Sequence, residues 1–361
     1  MVGMGFKAGG YNACTYYHPE RRLTSMVHGD DFATTGKLED AKWLEAKLKE
    51  RFGIKTHIIG PGEGASREGK VLNRVIRRTE AGWEYEADPR HAELIIRTLN
   101  LEEAKAVTTA GEDEKKWKVE EESEPLEGLQ AREYRGIAAR ANYLAADRPD
   151  IQYAVKEICR GMSAPTRGGW RKLKRLGRYL VGRPRAVLRY DTQGEQEKLT
   201  GFSDSDWAGC KRTAKSTSGG IIMCGSHMIK SWSSTQKSIT LSSGEAELVA
   251  AVKTCTELIG ITQLLKDWGR EVDGEVYVDS SAAIGVAHRK GNGKLRHVRV
   301  GLLWIQEKVE EGEVDVRKID GEQNPADLLT KNVNIAKVER YIQIINEEFR
   351  EGRAEVSIEL K

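Results

Sequence analysis

The sequence predicts an α/β protein, with a five-stranded mixed sheet and flanking helices over 196–332 preceded by a smaller α+β region. Three observations carry this. After about residue 196 the elements run β-β-β-α and then strand, helix, helix, strand. Residues 111–127, dominated by charge and almost free of apolar residues, separate that half from one mixing short alternating runs with helical stripes. A chain of 361 residues with 39% hydrophobic content is long and apolar enough for about two or three cores.

In the first hundred residues, 23–27 and 32–35 are short extended runs around His28-Gly29-Asp30-Asp31. Ala41, Leu44, Leu48 and Phe52 share one face of a helix that Gly53 can end. Residues 71–78 and 82–87 alternate about Thr79-Glu80-Ala81 as a hairpin, and Asp88-Pro89 caps and opens a helix carrying Leu94, Ile95 and Leu99. Beyond the charged stretch, helices over 131–146 and 150–162 form an αα-hairpin broken at Arg148-Pro149-Asp150. Extended runs follow at 199–203, 219–224 and 228–233, the last two joined by Gly225-Ser226. Then come a long helix (244–268), a strand (275–278), helices (280–289 and 298–309), a strand (314–319) and a helix opened by Pro325. An amphipathic helix over 337–349 carries Val338, Tyr341, Ile342, Ile345 and Phe349.

Charge is nearly balanced, 58 basic against 55 acidic residues, so affinity for a polyanion must come from distribution rather than from the net +3. Residues 160–190 hold ten basic side chains and no acidic one, with Trp170, Tyr179 and Tyr190 interleaved. A solvated helix face is the plain reading. A phosphate-tracking surface through Arg171, Lys172, Lys174, Arg175 and Arg178, without base specificity, is the sharper one. Five cysteines without a C-x-x-C pair argue against a disulfide framework or a zinc site and suit a reducing compartment. The N-terminus has no apolar h-region and no run of 18 uncharged apolar residues occurs, so an intracellular protein, cytoplasmic or nuclear, without membrane partners is expected.

Four carboxylates stand at element ends: Asp204 closes a strand, Glu247 lies in the first turn of the long helix, Asp279 closes another strand, and Asp327 follows Asn324-Pro325. Any one alone is a turn former or a helix cap. If strand ends and helix starts meet at one sheet edge, the four converge, and such a cluster is stable with divalent cations, Mg²⁺ or Mn²⁺ in preference to zinc. Asp206 and Glu245 are the close competitors.

GFSDSDWAGC, KSTSGGIIMCG, IKSWSSTQKSITLSSGEAELVAA, VYVDSSAAI, RHVRV and NPADLLTK, in that order and spacing, resemble the ribonuclease H domain of copia-type LTR-retrotransposon Pol polyproteins. EYRGIAARANYLAADRPDIQYAVKEICRGMSAPT followed by WRKLKRLGRYLVG resembles the connection segment of those polyproteins. MVHGDDFATTG with about the next eighty residues is similar to the end of their reverse-transcriptase palm and thumb. The resemblance covers nearly the whole chain. It implies a truncated palm/thumb fragment (1–110), a charged linker (111–130), a connection segment with the basic stretch (131–195), a ribonuclease H-like domain (196–332), and a C-terminal amphipathic helix and tail (333–361).

The resemblance further implies hydrolysis of RNA in RNA–DNA hybrids, with two Mg²⁺ or Mn²⁺ ions held by Asp204, Glu247, Asp279 and Asp327. The match of AELVAA favours Glu247 over Glu245, and strand alternation carries Asp206 farther past the strand end than Asp204. His297, in RHVRV, matches a family histidine and is assigned proton transfer or product release. Arg299 stands where these elements usually carry an acid. His28-Gly29-Asp30-Asp31 matches the Tyr-x-Asp-Asp polymerase motif with His for Tyr. Because only 27 residues precede His28, Asp30 and Asp31 read as vestigial polymerase ligands without their third carboxylate. Other Pol and Gag products of the element are implied partners. The alternative is a catalytically inactive remnant that still binds nucleic acid.

Overall fold

The computed structural model describes residues 1–112, 123–293 and 297–360. Three sheets organise the described residues. The first is an antiparallel meander of β1 (Lys7–Ala8), β2 (Thr15–His18), β3 (Leu23–His28) and β4 (Asp31–Thr35), the last two forming the hairpin expected around His28-Gly29-Asp30-Asp31. Helix α1 (Leu38–Lys49) packs Leu44 and Leu48 with Phe6 and Leu23. The helix ends before Phe52, which is exposed, so its apolar stripe is one turn shorter than the spacing suggests.

The second sheet begins with β5 (Glu68–Val71), β6 (Arg74–Arg78) and β7 (Gly82–Glu86). The strand expected over 71–78 is cut because Leu72 and Asn73 both take positive φ, 49° and 67°, as a tight two-residue hairpin turn requires. Helices α2 (Arg90–Thr98), α3 (Gly128–Ala145), α4 (Pro149–Cys159) and α5 (Arg167–Gly182) follow, and β8 (Arg185–Asp191) returns antiparallel to β7. Their apolar faces share one core, in which Ile95 and Leu99 meet Tyr134, Ile151 and Leu173. The unit expected to start at 131 therefore starts near residue 68, because β5, β6 and β7 find their sheet partner in β8. The divide expected within 111–130 falls inside this unit, and residues 113–122 of it lie outside the described residues.

A buried ion pair pins this region. Arg148 donates through Nε and Nη2 to the two oxygens of Asp150 at 2.8 and 2.7 Å, and Tyr179 OH donates to Asp150 at 2.9 Å. The bidentate geometry and the added hydroxyl satisfy charges that would otherwise be costly to bury.

The third sheet is built from β9 (Lys198–Asp206), β10 (Thr217–Cys224), β11 (His227–Thr235), β12 (Asp273–Val278) and β13 (Asp315–Lys318), in the order β11-β10-β9-β12-β13. The first three are antiparallel, while β12 runs parallel to both β9 and β13. This is the five-stranded mixed sheet expected for 196–332. Helix α6 (Ser243–Asp267) packs on β9, β10 and β12 through Leu248, Ala251, Cys255 and Leu258. By length and composition α6 would suit a bilayer, yet these apolar residues are the inner layer of the core. Gly201 lets it lie close, since a Cβ there would come 2.9 Å from Thr254 Cγ2.

Helices α7 (Ser281–Ala287) and α8 (Trp304–Glu310) cover the sheet further on. The helix expected over 298–309 is thus a 3₁₀ turn, Val300–Leu302, followed by α8. The helix opened by Pro325 is a short 3₁₀ segment, Pro325–Leu329. Helix α9 (Ile335–Ile344) is shorter than the 337–349 stripe suggests at its C-terminal end. Asn346 takes φ 55°, and β14 (Glu347–Arg350) carries Phe349 into the second sheet, antiparallel to β8. Helix α9 and β14 are accordingly built into the fold: Val338, Tyr341 and Ile342 pack with Ile221, Met223 and Leu328.

Glu347 of β14 is buried, neither carboxylate oxygen has a hydrogen-bond partner, and burial beside Asp150 pushes its carboxyl well above the ordinary value despite the opposing charge of Arg148. A raised folded value means that stability present below the unfolded pKa of about 4.3 is lost as pH rises through the folded one, at up to about 1.4 kcal/mol per pH unit. Glu347→Gln should therefore match wild type near pH 4 and exceed it at pH 8 in urea unfolding. Equal stability at both pH values would place an ionised, well-accommodated carboxylate there instead.

Candidate active site and metal centre

Parallel pairing of β9 with β12 sets Val278 opposite Ser203, so the residues that follow, Asp279 and Asp204, stand side by side at one edge of the sheet. Helix α6 begins over that edge with Ser242 as its cap, accepting from Glu245 N at 3.2 Å, and brings Glu247 into the same space. One oxygen from each of Asp204, Glu247 and Asp279 lies within 4.8 Å of the others. Ser205 holds Glu247 in place, donating to Oε1 from its backbone N–H at 3.2 Å and from its hydroxyl at 2.9 Å.

Asp327 belongs to a second layer around Asp204. The segment carrying it is tied to β9 by buried Asn324, whose side-chain amide donates to Ser203 O at 2.9 Å and whose carbonyl oxygen accepts from Ala326 N. Gly219, opposite Asp204 in β10, makes room: a Cβ there would sit 2.8 Å from Leu329 Cβ and 2.7 Å from Thr330 Cγ2. Thr330 thus reaches Asp204 and donates its hydroxyl to Oδ2. Asp327 itself meets Lys331 at 2.7 Å, Lys337 at 3.7 Å and the Tyr341 hydroxyl at 3.3 Å, while Lys331 also lies 3.7 Å from Asp204. The structure therefore gathers three of the four expected carboxylates directly. It joins the fourth to them through a lysine.

The competitors separate clearly. Strand β9 runs to Asp206, beyond the end expected for it, but Asp206 is outside the triad; burial raises its carboxyl, and Lys331 and Lys156 are the cations acting on it. Glu245 accepts from Leu241 N at 2.7 Å and contacts His297 Nε2 at 3.2 Å, so it serves the helix start and a rim histidine. Arg299 precedes the 3₁₀ turn at Val300–Leu302. Asp30 and Asp31 lie exposed at the β3–β4 turn. Of the basic stretch, Arg175 pairs with Glu112 at 2.7 Å, Arg178 donates to Lys105 O at 2.7 Å, and Lys174 is exposed. Arg171 and Lys172 are half-buried on the same helix.

Ser205, Thr330 and Lys331 were not singled out by sequence reasoning. Lys331 left a signal, four residues after Asp327, the spacing at which opposite charges meet on a helix.

Burial dominates the electrostatics. Desolvation pushes Asp204 up to about 7, opposed chiefly by Lys331 and reinforced by Asp327 and Asp279. Glu247 rises to about 8 through desolvation and the charges of Asp204 and Asp279. Lys331 is held above its ordinary value by the carboxylates around it. Glu247 Oε2 is buried without a hydrogen-bond partner. An all-oxygen donor set with an orphaned buried carboxylate oxygen fits a hard divalent cation such as Mg²⁺ or Mn²⁺.

This five-stranded mixed sheet, with carboxylates across its β9–β12 junction, fits the ribonuclease H-like fold that the resemblance implies for 196–332. No protein-family model matches the chain. It is 36% identical over 203 residues to the retrovirus-related Pol polyprotein from transposon RE2 of Arabidopsis thaliana, a match covering 55% of this chain and 14% of that protein. The corresponding polyprotein from transposon RE1 of the same plant is 31% identical over 313 residues, 85% of this chain and 20% of its own length. Among solved structures, LC11-RNase H1, isolated from compost by a metagenomic approach, is 18% identical over 41% of this chain and 99% of its own, with a TM-score of 0.31. The chain belongs to the copia-type retrovirus-related Pol polyproteins, and it spans a fifth or less of the length of these two relatives.

Because Asp204 and Glu247 hold protons up to about 7 and 8, a divalent cation entering the triad must displace them. Calorimetric titration with Mn²⁺ should show proton release and an affinity that tightens roughly tenfold or more from pH 6 to pH 8.5. The same two groups make the metal-free fold less stable as pH climbs through that window, since their folded values are raised. An affinity independent of pH would mean that the triad is already ionised.

Proposed function

We propose that this protein is a metal-dependent ribonuclease that hydrolyses the RNA strand of RNA–DNA hybrids, joined to a region similar to the end of a reverse transcriptase. The observation that carries this reading is the convergence of Asp204, Glu247 and Asp279 within 4.8 Å at one sheet edge. Membership of the copia-type Pol polyproteins supports the substrate class.

Asp204, Glu247 and Asp279 would hold Mg²⁺ or Mn²⁺, and a second ion would draw on Asp204 and Asp327, the pair that Lys331 now neutralises. The ions supply concentrated positive charge where a phosphodiester in displacement develops negative charge. The chain's own contribution is placement. Ser205 fixes Glu247, Thr330 fixes Asp204, and Asn324 fixes the Asp327 segment against β9. His297, beside Glu245 at the rim, would assist proton transfer or product release. No protein nucleophile is required, and water attack would leave 5′-phosphate and 3′-hydroxyl ends.

Cleavage of a labelled RNA–DNA hybrid by the full chain in Mg²⁺ tests this. Asp279→Asn should abolish cleavage while hybrid binding largely survives, because it removes a ligand at the edge of the sheet and leaves the surrounding surface intact. Cutting that persists in this variant, or in EDTA, would remove the metal mechanism. Hybrid binding without cutting by the wild-type chain would favour an inactive nucleic-acid-binding remnant.

A further inference from the structure

Residues 207–244 contain Lys211, Arg212, Lys215, Lys230 and Lys237 and not one Asp or Glu. Lys230 is engaged by Glu257 at 2.6 Å. The other four form no ion pair among the described residues, and Lys211, Arg212 and Lys237 are exposed. Elsewhere the chain pairs its cations across long distances in sequence, as in Arg175 with Glu112 and Arg185 with Glu86.

The four lie on two loops that are bound to each other. Gln236 N donates to Ser216 O at 2.8 Å, Ala208 N donates to Ser216 Oγ at 3.1 Å, and that hydroxyl meets Thr240 Oγ1 at 3.1 Å. The same loops expose three large apolar side chains: Trp207 at 48%, Ile239 at 54% and Leu241 at 68%. Trp207 Nε1 donates to Thr240 O at 3.1 Å, which holds the indole against the second loop while nearly half of its surface stays open.

This surface adjoins the carboxylates through short covalent steps. Trp207 follows by two residues the Ser205 that holds Glu247, and Leu241 N donates to Glu245, two residues before Glu247. A fixed aromatic side chain, open apolar neighbours and unpaired cations thus lie on loops that begin or end within a few residues of the triad.

We propose that Trp207, Ile239 and Leu241, flanked by Lys211, Arg212, Lys215 and Lys237, form the platform on which the hybrid duplex lies. The wide, shallow groove of an A-like duplex exposes sugar edges and 2′-hydroxyls that a flat apolar shelf can reach. The flanking cations would neutralise phosphates on either side. Unpaired positive charge without a carboxylate over 38 residues suits a polyanion and does not suit a basic or neutral peptide. The inference rests on the nuclease reading of the triad and adds to it the surface that positions the substrate.

The test is hybrid binding by fluorescence anisotropy, with Mg²⁺, in the full-length chain carrying Asp279→Asn. Trp207→Ala should weaken binding roughly tenfold, and Trp207→Phe should recover most of it. Lys211→Gln, Arg212→Gln, Lys215→Gln and Lys237→Gln together should lower the slope of log K against log salt by about 3 to 4, roughly one per phosphate contact. The matched set Arg171→Gln, Lys172→Gln, Lys174→Gln and Arg175→Gln should lower it less, and thermal melts should show both sets folded. Unchanged affinity and slope in the platform variants, in a chain whose wild type cuts hybrids, overturns the platform and leaves the nuclease standing. A slope lost only in the α5 set also overturns it and puts the phosphate track on that helix. A wild-type chain that neither binds nor cuts hybrids removes both readings together.

Discussion

Parallel pairing between β9 and β12 is the constraint from which the site follows. An antiparallel partner would have sent Asp204 and Asp279 to opposite ends of the sheet; the parallel register sets them together just past the last pair of the two strands. Helix α6 then adds Glu247 from above, and three carboxylates share a space that is largely removed from water. Much of the surrounding detail manages that charge. Thr330 and Ser205 contribute hydroxyls, Lys331 and Lys337 contribute ammonium groups, and the small residue at Gly219 lets the segment bearing Asp327 come close enough to take part.

Asp204, Glu247 and Asp279 were legible because a carboxylate at a strand end or in a first helical turn is visible from periodicity alone, and three such positions recur in one region. Their selection over Asp206 and Glu245 came from the match to AELVAA and from strand alternation. The partners of Asp327 were not legible in the same way. Lys337 and Tyr341 reach it only once α9 has folded back over the 3₁₀ segment. The density of positive charge over 160–190 was plain, but a linear count carries no information about acids far along the chain. Glu112 is 63 residues from Arg175, and Glu86 is 99 residues from Arg185.

The C-terminal elements show the other kind of misreading. Val338, Tyr341, Ile342 and Ile345 keep helical spacing, and Phe349 continues it one turn too far. The break comes from Asn346, a residue type that tolerates the left-handed conformation it adopts, and whose side chain donates to Arg189 O at 2.9 Å. That bond belongs to the sheet, so nothing within the last thirty residues announces it. Buried Glu347 was equally unexpected, since a glutamate in a short terminal strand usually faces water.

The pairing of β14 with β8 means that chain order and architecture are interleaved. The third sheet sits as an insertion between two neighbouring strands of the second: the chain leaves that sheet after residue 191 and returns to it at 347. Severing the molecule between these points would leave β8 with an open edge and β14 without a mate, the exposed backbone that invites pairing with other chains. Modularity read along the sequence is therefore misleading here, because the last strand of the molecule closes a unit that opens near residue 68.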